Sequence, residues 1–334
     1  MRPQEPRSRE AASRCPYNSL TPSERDLVRR MTGGIEYADL SVRELSLTAL
    51  ERYGMYISPV TFWAYQKELG CNGPRRGKRL RKGRGNKPDT DWVSGPNQLW
   101  SWDITHLPTG RPYEFWYLYA LQDWFSRKVV AWLVTDSLHS REVRELWDIG
   151  LLNEGLLLRP SWEWPSSLSD RGSQMRSTST RRYFKKLGVA QLFARPRTPN
   201  DNPKIEALFS VVKTEPEYPG VFPATEEAGA YFEEFFAWYN EGHPHTALKM
   251  LTPQQMHSGR GERILRARRG IKEATLRKRR TFFETGEEVQ VGVEGEESLF
   301  LRELPMRFRG RGKDADGEPG SSAGEREKFA TTIA

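Results

Sequence analysis

Cysteine is scarce in this chain: Cys15 and Cys71 are the only two in 334 residues. They lie too far apart to form a metal clip, and neither has a second Cys or His at ligand spacing, so zinc fingers and disulfide scaffolds are excluded. The low count suits a reducing, intracellular compartment. Histidine is also sparse, and all five (His106, His139, His243, His245 and His257) follow the first basic run, which excludes an amino-terminal His/Cys zinc module. No stretch approaches the roughly 20 apolar residues of a membrane span, and the amino terminus lacks an apolar signal core. A cytoplasmic protein with no membrane contact is expected.

What is abundant is positive charge, and it is bunched. Arg75 to Lys87 holds eight basic residues and no acidic one, interleaved with glycines; Arg260 to Arg280 holds ten basic residues against Glu262 and Glu273. Two solvated basic surfaces would satisfy the composition, but bunching favours a polyanionic partner, and nucleic acid fits better than a membrane surface. The length exceeds one ordinary domain and accommodates a catalytic unit of about 150 residues with smaller flanking modules.

Residues 1–19 are polar and aperiodic and are expected to be a disordered leader. Thr21-Pro22-Ser23-Glu24 sets an N-cap oxygen, a proline at the first helical position and a glutamate at N3, and so predicts a helix to about Met31. Ser41-Val42-Arg43-Glu44 repeats the arrangement before a helix that Gly54 ends, and Ser58-Pro59 opens a third helix that stops at Gly70. Three capped helices over residues 20–70 match a helix-turn-helix, and equally a small helical bundle with no DNA nearby; the basic linker that follows, residues 71–93, favours the first. Thr61, Tyr65 and Gln66 on the third helix are the candidate base readers, and Arg75, Arg76, Lys78 and Arg79 in the linker the candidate phosphate contacts.

From Asn97 the texture becomes strand-rich. Leu99 to Thr105 alternates, with Trp100, Trp102 and Ile104 on one face and Ser101, Asp103 and Thr105 on the other. Phe115 to Leu121 and Lys128 to Val134 read as a hairpin closed by Asp123 to Arg127, where Asp123 is a turn residue. A helix over Ser140 to Leu151, a short strand ending near Asp170, a helix over Thr178 to Leu187 and a strand over Ala190 to Ala194 complete an α/β domain with a mixed sheet, residues 94–257. Asn202 and Pro203 open a helix that places Glu206, Ser210 and Lys213 on one face. The helix from Glu226 to Tyr239 is aromatic and serves packing. Residues 258–306 read as a basic helix and a β-prone segment from Thr281 to Leu304, and residues 307–334 as a disordered tail.

Asp103 on a strand, Asp170 at a strand end and Glu206 on a later helix are the carboxylates most suited to chemistry, and 35 residues separate the last two. This spacing resembles the D-x35-E pattern of retroviral integrases and DDE transposases. Asn97 to Thr105, Asp123 to Arg127, Ser169 to Gln174, Asp201-Asn202 with Glu206, and Tyr239-Asn240, Pro244-His245, Leu248 and Thr252-Pro253 resemble, in order, five segments of the bacterial insertion-sequence transposases of family three. The resemblance covers residues 94–257 well and the carboxyl-terminal third poorly. Leu168, Met175 and His243 depart from the family's usual residues without touching the carboxylates.

The resemblance implies a ribonuclease H-like fold in which Asp103, Asp170 and Glu206 are both catalytic and metal-binding. It also implies cleavage and joining of DNA strands at the terminal repeats of a mobile element, by a homo-oligomer associated with the bacterial nucleoid. Three carboxylates in one cleft repel unless cations neutralise them, and hard oxygen donors suit Mg²⁺ or Mn²⁺, two ions per active site. Arg171, Asn202 and Lys213 are candidates for DNA contact beside the carboxylates, and Arg266, Arg268 and Arg269 for contact with its backbone farther along. Two rival readings keep part of this: a DNA-binding regulator or remnant without catalysis, and a nuclease of the same fold that cuts without joining.

Overall fold

A computed structural model describes residues 19–70, 88–195 and 201–287. The amino-terminal part is helical throughout: α1 (Pro22–Gly33), α2 (Val42–Tyr53) and α3 (Pro59–Glu68). Each begins where its cap requires. Thr21, Ser41 and Ser58 accept hydrogen bonds from the amides of Glu24, Glu44 and Thr61, and the first two are closed into capping boxes by Glu24 and Glu44. Gly54 ends α2 in the left-handed conformation, φ 61°, which costs glycine nothing. Leu27, Val28, Met31, Leu45, Ala49, Ile57 and Phe62 form the core shared by these helices.

The central part is a five-stranded mixed sheet: β1 (Leu99–Pro108), β2 (Phe115–Asp123), β3 (Val129–Thr135), β4 (Ser166–Ser169) and β5 (Gln191–Phe193), in the order β3-β2-β1-β4-β5. β1, β2 and β3 run antiparallel as the expected hairpin and its neighbour, and β4 and β5 run parallel to β1. Helices cover both faces. On one, α4 (Ser140–Asn153), α5 (Ser173–Arg176) and α6 (Thr178–Leu187) enclose Trp100, Trp102, Tyr119 and Trp147. On the other, α7 (Pro203–Thr214) and α8 (Thr225–Glu241) enclose Leu107, Leu118, Ile205, Leu208, Phe232 and Phe236. This is the mixed, helix-flanked sheet that a ribonuclease H-like fold requires.

The alternation of β1 holds, but its polar side is not solvated. Ser101 and Thr105 are buried, on the face of β1 against which α7 packs. Only a sheet covered on both faces gives its central strand this burial.

After the short α9 (Pro253–His257) comes the longest helix, α10 (Gly261–Thr285). The β-prone reading fails at its start: residues 281–285 continue this helix, and Gly286 caps it at φ 77°. Leu304 and the remainder of that segment lie outside the described residues. The inner face of α10 recurs at Gly261, Ile264, Arg268, Ile271, Thr275 and Arg279, a helical spacing in which two guanidinium groups stand where apolar side chains are usual. Arg268 binds Glu51 of α2 (2.6 and 2.9 Å) and the Lys249 carbonyl, while Arg279 binds both carboxylate oxygens of Glu24 in α1 and the Tyr56 carbonyl. With Leu50, Leu248, Leu251, Ile264 and Ile271 packed alongside, α10 ties the amino-terminal helices to the end of the sheet domain.

Candidate active site

Asp103 sits in mid-β1 on the side facing α7, paired across the hairpin with Ala120. Asp170 follows β4 directly, and Glu206 lies in the first turn of α7, exposed beside Ser210 and Lys213 while Ile205, Leu208, Phe209 and Val212 turn inward. Parallel pairing of β1 with β4 brings the first two carboxylates side by side, and α7, packed on β1, carries the third toward Asp103. Their electrostatics report the proximity. Burial pushes the Asp103 carboxyl up to about 7, the Ile104 N–H opposes this, the charges of Asp170 and Glu206 add to it, and Lys213 opposes it. Partial burial also raises Glu206, which remains exposed.

Each carboxylate keeps oxygen atoms for a ligand. Asp103 Oδ1 accepts the Ile104 amide at 2.8 Å, and Asp170 Oδ1 accepts the Gly172 amide at 2.8 Å. A side chain on Gly172 would bring a Cβ within 3.1 Å of that same Oδ1 and 2.9 Å of the Met175 sulfur, so a larger residue there would crowd the Asp170 carboxylate. Among the described residues no three His, Cys, Asp or Glu side chains converge tightly enough to hold an ion as they stand. The donor set nonetheless suits a hard divalent cation: three carboxylates, mutually repelling, with Asp103 destabilised in its charged form. Asp170 and Glu206 are exposed and free to adjust.

The other candidates separate. Lys213 is exposed and close enough for its charge to act on Asp103. Arg171 donates Nε to the Ala194 carbonyl at 2.9 Å, which fixes it beside Asp170. Asn202 is 4% exposed, makes no side-chain cap to α7 and has neither amide atom hydrogen-bonded, so the expected capping role is not what holds it. On α3, Thr61 is engaged with Ser58 and Tyr65 packs partly on the helical core; Gln66 is half-buried, and Val60, Trp63, Ala64, Lys67 and Glu68 are exposed. Arg75, Arg76, Lys78 and Arg79 lie outside the described residues. Arg266 and Arg269 are exposed on α10, whereas Arg268 is a correction: it is 8% exposed and committed to Glu51, and so is turned away from any DNA.

A second polar cluster escaped the sequence reading. Asp123 is fully buried at the hairpin turn, where its Oδ1 accepts the Ser126 amide and hydroxyl and its Oδ2 accepts the Asn97 amide. Ser126 Oγ lies 2.9 Å from His257 Nδ1, and His257 Nε2 lies 2.7 Å from Glu154, which also accepts from Lys128 and Asn97. Burial alone would push Glu154 up, but the bonds from His257, Lys128 and Asn97 outweigh it and hold the carboxyl at about 2. Burial would lower His257, but Asp123 and Glu154 raise it. The cluster fastens α9 to the hairpin. His245 is a packing residue: burial, then His243 and Arg127, hold it at about 2, and its Nε2 has no partner.

The pH dependence of this clamp follows from the signs. The raised His257 contributes stability that is complete below the usual 6.5 and fades as pH rises through its folded value; the depressed Glu154 contributes above 4.5 and fades as pH falls toward about 2. The melting-temperature loss from His257→Ala is therefore expected to be larger at pH 6 than at pH 9. Equal losses at both pH values in thermal melts would remove the charged-histidine assignment.

Two family models, each described as an integrase core domain, match residues 93–199 and 187–253. The transposase for insertion sequence element IS904 of Lactococcus lactis subsp. lactis (strain IL1403) is 27% identical over 170 residues, which cover 48% of this chain and 62% of that protein. The probable transposase for insertion sequence element IS1353 of Shigella flexneri is 29% identical over 153 residues, covering 45% and 28%. The chain thus spans less than two thirds of the length of either relative. Among solved structures, the simian T-cell lymphotropic virus intasome in complex with PP2A regulatory subunit B56 gamma aligns over 68% of this chain and 74% of that one, at 16% identity and a TM-score of 0.40.

Proposed function

We propose, from the premise that residues 93–253 are an integrase core domain of the DDE transposase class, that this chain cuts the ends of a mobile DNA element and joins them to target DNA. The observation that carries the reading is placement: the parallel register of β1 with β4 sets Asp170, directly after β4, alongside Asp103, and Glu206 stands in the first turn of α7, near enough for both charges to bear on Asp103. Such a cluster is costly to fold and has little structural use, since among the described residues none of the three pairs with a cation in the manner of Glu51 or Glu24.

Asp103, Asp170 and Glu206 would together hold two Mg²⁺ or Mn²⁺ ions, which when bound lower the barrier to attack on a phosphodiester by activating the attacking oxygen and stabilising the leaving one. Asp103 is held rigidly by the central strand and defines the floor of the cleft. Lys213, two turns along the same face of α7 from Glu206, is placed to meet the phosphate backbone and offset its repulsion by the carboxylates. Arg171, anchored at Ala194 through Nε and exposed beside Asp170, would add a second cationic group for phosphate. The attacking group is water in cleavage and a DNA 3′-hydroxyl in joining, so no protein nucleophile takes part. Joining two element ends requires two such clefts, which makes a homo-oligomer on DNA part of the proposal.

The helices at 20–70 would bind the terminal repeats through α3 and the basic residues that follow it. The outer side of α10 would extend the phosphate track. Arg266→Ala with Arg269→Ala is expected to weaken non-specific duplex binding and to lower the salt slope by about two counterions, since each lost phosphate contact removes about 0.9. Arg268 is excluded from this set by its pairing with Glu51. An unchanged slope in filter-binding titrations would return that face of α10 to solvent.

The function is tested by incubating the purified chain with Mg²⁺, a supercoiled plasmid and labelled duplexes that carry the DNA flanking its own reading frame. Label joined covalently to the plasmid is the expected result. Labelled ends that are cut but never joined identify a nuclease; ends bound but neither cut nor joined identify a regulator.

A further inference from the structure

Glu206 reaches the cleft from a helix whose start is not part of the sheet, so something must register α7 against the strands that carry the other two carboxylates. Two contacts do so. On the Asp170 side, the Ala194 amide donates to the Ser169 carbonyl at 2.8 Å and the Ala194 carbonyl accepts from Arg171, which locks residue 194 to both neighbours of Asp170. The next residue, Arg195, grips Asp201 three times: backbone N to Oδ2 at 2.8 Å, Nε to Oδ2 at 2.7 Å, and the second guanidinium nitrogen to Oδ1 at 2.6 Å. Asp201 is 1% exposed and stands two residues before α7 begins. On the Asp103 side, Lys204 in the first turn of α7 donates to the Trp124 carbonyl and lies 4.2 Å over the Trp124 ring, while the Trp124 amide donates to Leu99 at the start of β1.

We propose that the Arg195–Asp201 pair is a positioning device that sets Glu206 against Asp170 and thereby sets how tightly the chain holds divalent cations. The inference rests on the metal-dependent reading given above. A planar guanidinium bound to both oxygens of one carboxylate fixes direction as well as distance, which a single point contact cannot do. Because α7 is a continuous helix from Pro203, a tilt or shift at Asp201 is carried rigidly to Glu206. Sequence-distant side chains that orient a metal ligand typically change metal affinity 10- to 100-fold when removed, on the order seen for outer partners of ligating groups.

The test uses the full chain and Mn²⁺ alone, with free and bound ion distinguished by electron paramagnetic resonance and the folded fraction followed by circular dichroism. Asp201→Asn keeps size and shape but removes the charge, and Arg195→Lys keeps the charge but removes the fork. Each is expected to weaken Mn²⁺ binding about tenfold or more per folded molecule, with duplex binding in EDTA unchanged. A role confined to closing the loop between β5 and α7 would lower the melting temperature and leave the Mn²⁺ affinity of the folded protein at the wild-type value; that result in either folded variant overturns the proposal. If the wild type itself binds no Mn²⁺, the metal-dependent reading fails, which is a different outcome from a wild type that binds and variants that match it.

Discussion

Asp103→Asn, Asp170→Asn and Glu206→Gln are each expected to reduce DNA cleavage and joining by at least about 10³-fold, because each withdraws one charge from the proposed cation site, whose chemistry would depend on several kcal/mol of cation-assisted stabilisation. Asp103 is the most sensitive position. It is set in the middle of β1, half-buried, with only the Ile104 amide as a hydrogen-bond partner, and no neighbouring acid on the same strand can replace it. Removing the ions with EDTA is expected to give the same loss in the wild-type protein. Binding of duplex DNA is expected to survive every one of these changes, and to strengthen slightly at low salt, since a negative charge has been removed beside the phosphates. Parallel cleavage and filter-binding assays check both halves; a variant with near wild-type joining in Mg²⁺ would strike that residue from the site.

The second large effect lies far from the cleft. Breaking the Arg268–Glu51 pair by Glu51→Ala is expected to cost about 3–5 kcal/mol, since it strands a guanidinium that is 8% exposed. Burial already pushes the Glu51 carboxyl up despite the pull of Arg268, so the pair holds α10 to α2 against a real desolvation cost. Removing both charges together, as Glu51→Leu with Arg268→Met, is expected to recover most of the loss, because apolar side chains of similar volume suit the same site. Arg279→Ala is expected to behave like Glu51→Ala and in addition to loosen α1, whose Glu24 both receives Arg279 and closes the helix cap through the Thr21 amide at 2.9 Å. Urea denaturation measures these differences. Additive losses in the Glu51/Arg268 double variant would show that the two residues do not form a compensating pair.

The parts of the fold that were legible in sequence are those decided within a few residues. Capping side chains at Thr21, Ser41 and Ser58, the alternation of Leu99 to Thr105 and the hairpin closed at Asp123 all depend on near neighbours, and their elements stand where the residues place them. The order and type of the three acidic positions were legible for the same reason, each marked by its own local element.

What was not legible is long-range and charged. Arginine is usually a surface residue, so Arg268 and Arg279 read as part of a solvated or DNA-facing run; their partners Glu51 and Glu24 are 217 and 255 residues away. The Thr281 and Phe282 side chains favour strands in isolation, yet the helix continues through them to Gly286. Asn202 has the residue type of a cap and occupies the cap position, but its buried amide makes no such bond; the neighbouring Asp201, paired with Arg195, provides the anchor instead.

Joining is proposed to be one direct displacement by a DNA 3′-hydroxyl at Asp103, Asp170 and Glu206, with no covalent link to the protein. The most direct measurement is the configuration at phosphorus when a target DNA carrying a phosphorothioate of one known handedness is joined to a labelled 3′-hydroxyl end. A single in-line attack inverts that centre, and inversion is the expected result. Retention would require two successive displacements through a protein-bound intermediate, and would contradict the assignment of these three carboxylates as the whole of the catalytic apparatus.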